Sequence, residues 1–62
     1  MAVKDKFDIK VMFRSGASPT DCLREVVQSG ASYQAAVRLV KDALRLDDEG
    51  VEEMESNYLE QV

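Results

Sequence analysis

Phe7-Asp8-Ile9-Lys10-Val11-Met12-Phe13 is the stretch whose reading decides the fold. Its residues alternate. Phe7, Ile9, Val11 and Phe13 fall on one side; Asp8, Lys10, Met12 and Arg14 fall on the other. Period two, with aromatic and β-branched residues, predicts a strand with one buried face. Phe7, Val11 and Arg14 also fit a helical stripe, so a helix is the rival reading. A lone strand in a helical chain leaves backbone groups unpaired on both edges. Its natural partner is the same strand of a second copy, which predicts a homodimer.

Downstream, Ser-Gly-Ala-Ser occurs twice, at 15–18 and 29–32. Each copy precedes apolar residues at offsets four, five and eight: Cys22, Leu23 and Val26, then Ala36, Val37 and Val40. Those offsets lie on one helical face. Ser18 is an N-cap, Pro19 suits the first helical position, and Asp21 completes a capping box. Ser32 is a second N-cap, and Gly30 ends the helix before it. The spacing predicts helices over 19–29 and 33–46. Asp47-Asp48-Glu49-Gly50 then interrupts the pattern. A last helical stripe follows at Val51, Met54, Tyr58 and Val62, with Leu59 beside it and carboxylates opposite. So short an acidic helix is unstable alone in water. It is expected to fold on a protein partner through Val51, Met54, Tyr58 and Leu59.

Charge divides the chain in the same place. Residues 1–41 hold seven cations against four acids, and residues 42–62 hold Arg45 against eight acids. A mildly basic body, net +3, therefore carries an acidic end, net −7, within a total of −4. Two ends of opposite sign suggest two kinds of partner. The expected organisation is a domain over 1–49 and an acidic partner-binding segment over 50–62.

A 62-residue chain hides only about 60 % of its unfolded surface, so a monomer is marginally stable. The single Cys22 and the absence of histidine exclude an internal disulfide and an ordinary zinc site. They also leave Cys22 without a base, so it reads as a small apolar residue on a helix face. Asp47-Asp48-Glu49 lacks the alternating spacing of a calcium loop. No Gly-rich phosphate loop or nucleophile elbow is present. The expectation is a protein that is not an enzyme and holds no cofactor. No stretch reads as a signal peptide or membrane span, and the expected location is cytoplasmic.

A strand followed by two helices joined by Ser-Gly-Ala-Ser resembles the ribbon-helix-helix family of DNA-binding proteins. The resemblance covers residues 7–46. It is strongest over Ser-Gly-Ala-Ser-Tyr-Gln-Ala-Ala-Val-Arg-Leu-Val-Lys-Asp-Ala-Leu-Arg-Leu, residues 29–46, which looks like the second helix of Arc-like repressors and ParD-type antitoxins. Such a resemblance implies an intertwined dimer whose two-stranded ribbon enters the major groove of double-stranded DNA. On that reading Lys10 and Arg14 donate to guanine and Met12 meets a thymine methyl. Ser32 and Tyr33, at the start of the second helix, hold a phosphate. The function it implies is a transcriptional repressor, antitoxin-like, whose acidic end binds a toxin or other protein. The chain departs from the family in its longer joint, Arg14-Ser15-Gly16-Ala17, and in Asp8 on the outward face.

Two all-α alternatives stand beside it. Residues 14–44 resemble the small UBA-like module at the start of elongation factor Ts, through Ser-Gly-Ala, Asp-Cys, a second Gly and an Ala-Val helix. In that reading 5–14 is helical and the chain is a protein-interaction module without DNA binding. Gly-Ala-Ser-Tyr-Gln also resembles the turn and recognition helix of helix-turn-helix repressors. Residues 7–13 discriminate: a strand supports the ribbon, a helix the alternatives.

Overall fold

Residues 7–13 are helical. The computed structural model describes residues 5–61 and holds four helices: α1 Lys6–Arg14, α2 Pro19–Gln28, α3 Tyr33–Leu44 and α4 Asp48–Gln61. No strand occurs among the described residues. The ribbon-helix-helix architecture is thereby corrected to an all-α one, since its dimer is built on a strand and residues 7–13 form a helix instead.

Local chemistry explains α1. The Asp5 carboxylate accepts from the amides of Phe7, at 3.0 Å, and Asp8, at 3.3 Å, which satisfies free donors at the helix start. At the other end the Gly16 amide donates to the Phe13 carbonyl and the Ala17 amide to the Met12 carbonyl, both at 3.1 Å. This pair of bonds is a Schellman closure, and it requires the left-handed backbone that Gly16 adopts at φ +105°. The long joint 14–17 is therefore a helix cap. In a strand Phe7, Ile9, Val11 and Phe13 would share a face. On α1 they separate: Ile9 is fully buried, while Phe7, Phe13 and Val11 are 70, 48 and 41 % exposed.

The capping signals place α2 and α3 where expected. Ser18 Oγ accepts from the Asp21 amide at 3.1 Å, and the Asp21 carboxylate accepts from the Ser18 amide at 3.2 Å. The Ser18 amide first, then the Ser18 hydroxyl, with Arg24 beside them at 2.7 Å, hold the Asp21 carboxyl below its usual range. Ser32 Oγ accepts from the Ala35 amide at 3.3 Å. α3 ends two residues short of the expected boundary at 46, because Arg45 turns left-handed at φ 53°. Leu46 then donates back to the Lys41 carbonyl at 3.0 Å.

Asp47-Asp48-Glu49-Gly50 is the start of α4 more than an interruption. The Asp47 carboxylate accepts from the Gly50 amide at 2.7 Å. The boundary expected between residues 49 and 50 falls inside this helix. α1 packs on α3 and α2, and α4 packs on α2 and α3. Their shared core is Ile9, Cys22, Leu23, Val26, Ala36, Val40, Ala43 and Met54. Met54 is 2 % exposed, and Val51 and Tyr58 pack against it. The buried Thr20 hydroxyl donates to the Met54 carbonyl at 3.3 Å, tying α2 to α4. Three residues expected to contact a partner protein thus complete the core instead, and only Leu59 points outward, 66 % exposed. Val62, the last member of that stripe, lies outside the described residues.

Candidate functional site

A nine-residue helix that buries one residue fully, Ile9, leaves most of its surface to solvent. On α1 Phe7, Lys10, Val11 and Arg14 follow one another at offsets three, four and seven, so they form one stripe opposite Ile9. All four are exposed. Phe13, four residues after Ile9, is exposed on the flank between Ile9 and the stripe. An aromatic ring left 70 % open on so small a protein is the surface feature that most needs a reason, because exposed apolar groups at helical spacing mark recognition faces. A shallow groove lined by Asp5, Lys6, Phe7, Lys10 and Leu39 runs between α1 and α3 along its edge. There Lys6 Nζ stands 3.9 Å from the Asp42 carboxylate, an exposed pair of small energetic weight.

The expected DNA-contact residues do not assemble into one surface. Lys10 and Arg14 are exposed, but on a helix beside Phe7 and Val11. Met12 is half-buried and packs against the core. Ser32 Oγ is occupied by the Ala35 amide. Tyr33 lies on a different groove, with Gln34, Val37, Arg38, Lys41 and Glu55. Its ring packs on Tyr58 at 5.6 Å between centroids, and its hydroxyl is buried beside the Glu55 carboxylate. Burial, and next the Glu55 carboxylate, push the Tyr33 hydroxyl above the usual tyrosine pKa.

Cys22 is fully buried, its Sγ 4.0 Å from the Ile9 carbonyl oxygen. Burial pushes its thiol up, and Asp21 and Glu25 add to the shift, which keeps the sulfur protonated and unreactive. Among the described residues no three acidic, cysteine or histidine side chains gather as a metal site, and no helix is long and apolar enough to cross a membrane.

The stripe that sequence reasoning missed is Phe7 and Val11. The signal was present as the spacing Phe7, Val11, Arg14, which is helical. Reading the segment as a strand sent both side chains into a core. Compared with protein-family models, curated proteins and solved structures, the chain matches none of them.

Proposed function

We propose that this chain is a small helical protein-interaction module, not an enzyme, whose α1 face receives an acidic helix of a partner protein. The observation that carries this is the exposure of Phe7, Val11 and Phe13 on a helix that also presents Lys10 and Arg14. Apolar groups supply the attraction and the cations select the sign of the partner. Sequence-specific repression is the weaker reading, because its reading element was the strand. A single buried thiol is compatible with a reducing, cytoplasmic setting.

The test is a pair of NMR titrations of the full chain, with an amphipathic helical peptide of Glu and Leu and with its Lys and Leu counterpart. The Glu peptide should shift amides of α1 around Phe7, Lys10, Val11 and Arg14, and the Lys peptide should not. A Phe7→Asp/Val11→Asp variant should lose the response. A third titration with duplex DNA is expected to leave the spectrum unchanged. Salt-dependent shifts on α3, at Arg38, Lys41 and Arg45, with none from the Glu peptide, would replace this reading by nucleic-acid binding.

A further inference from the structure

Charge is segregated between two helices whose backbones do not approach closely. α1 carries Lys6, Lys10 and Arg14 against Asp8. α4 carries Asp48, Glu49, Glu52, Glu53, Glu55 and Glu60 with no cation. Among the described residues only Asp48 of these six has a cation within 4.0 Å, Lys41 at 3.9 Å. No Cα of α1 comes within 8 Å of a Cα of α4, and among the described residues no ion pair joins the two helices.

Each face has the pattern the other lacks. On α4 the outward positions Glu49, Glu52, Ser56 and Leu59, all exposed, follow at offsets three, seven and ten, which is one stripe. Glu53 and Glu60 flank it. An exposed leucine among carboxylates on α4 faces the same geometric problem as an exposed phenylalanine and valine among cations on α1. Pairing α1 with α1 would set Lys10 and Arg14 of both copies together. Pairing α4 with α4 would oppose twelve carboxylates, twice the six on each. Only α1 against α4 joins opposite charges and covers apolar groups on both sides.

We propose that copies of this chain associate head to tail, the Phe7–Lys10–Val11–Arg14 stripe of one lying on the Glu52–Leu59 face of the next. This rests on α1 being a docking face, and it names the occupant as α4 of a second copy. The interface is heterologous, so every copy added to an open chain leaves one α1 and one α4 free, and growth passes two copies until a ring closes. One helix pair buries little surface, so the contact is weak and reversible. The net charge of −4 on each copy opposes approach from afar. At about 0.15 M salt that repulsion is screened beyond roughly 8 Å, while the paired faces still act.

Sedimentation velocity from micromolar to millimolar concentration tests this. Two variants each block one face: Phe7→Asp/Val11→Asp on α1, and Glu52→Lys/Leu59→Lys on α4. The wild-type mass should rise continuously past twice the 6.9 kDa chain. Each variant alone should stay a single chain. An equimolar mixture should rise to two chains and stop, because the one good α1 face meets the one good α4 face and neither end can extend. Helical circular dichroism checks that each variant is folded, and Lys10→Glu/Arg14→Glu with Glu52→Gln/Glu60→Gln serve as a second pair. A wild-type mass fixed at one chain overturns the proposal, as does a ceiling at two chains, which would mean a symmetric dimer. Association of either folded variant alone overturns it also, because another surface would be responsible. If the wild type stays single while the Glu and Leu peptide still shifts α1, the docking face stands and its partner is a different protein. If both fail, the docking reading falls with it.

Discussion

Met54→Ala measures whether α4 belongs to the domain. Met54 is 2 % exposed and sits against α2, where its own backbone carbonyl accepts from Thr20. Truncating a buried methionine to alanine removes its transfer energy and leaves a cavity, at about 2–5 kcal/mol. A 62-residue domain has a total stability of roughly 3–9 kcal/mol, at about 0.05–0.15 kcal/mol per residue. One truncation therefore removes about a fifth or more of what holds the fold together. Urea unfolding followed by far-ultraviolet circular dichroism should show a much lower midpoint at an unchanged slope. The thermal midpoint should fall by roughly 15 °C or more, since a small domain loses about 8 °C per kcal/mol. Leu59→Ala is the internal control. Its side chain is 66 % exposed, so the change should stay within about 0.5 kcal/mol. If α4 were instead an independent partner-binding tail, both substitutions would be neutral and a fragment ending at Glu49 would unfold like the full chain. Either result would refute the packing argument.

Ser18→Ala removes the hydroxyl that caps α2 and should cost about 1 kcal/mol at neutral pH. Asp21 is held low first by the Ser18 backbone amide, which the substitution keeps, and next by the Ser18 side chain, which it removes. Its stabilising effect is present above the unfolded carboxylate value and lost as pH falls through the folded one. The gap between wild type and variant should narrow in acid, and a gap that widened there would exclude this linkage. Tyr33→Phe deletes a buried hydroxyl that stands beside Glu55, and neutral-pH stability should change by no more than about 1 kcal/mol. Because the Tyr33 pKa is raised by burial and by Glu55, its stabilisation is complete below the ordinary tyrosine value. It is lost as pH climbs through the folded value. The variant should lack that component of alkaline unfolding, and an alkaline transition unchanged from wild type would refute the linkage.

Helix starts were legible from the sequence because capping is local chemistry. Ser18-Pro19-Thr20-Asp21 and Ser32 act within four residues of themselves, and the structure realises both. The helical stripe of Val51, Met54 and Tyr58 and the burial of Cys22 were legible for the same reason: each follows from spacing on one element. Residues 7–13 were not. Seven residues with apolar groups at alternate positions satisfy period two, yet Phe7 and Val11 also satisfy a helix. Periodicity cannot separate the two over so short a run. The decision came from Asp5 and Gly16 at the ends, and from Ile9, which fills the core beside Cys22 while Phe7 turns outward. Nor does spacing along α4 say where its stripe goes. An amphipathic acidic helix has the same sequence whether it waits for a partner or closes its own domain. Only the tertiary structure, by placing α2 with Thr20 beneath Met54, decided that this one closes the core, because burial is a property of two surfaces and a sequence shows them one at a time.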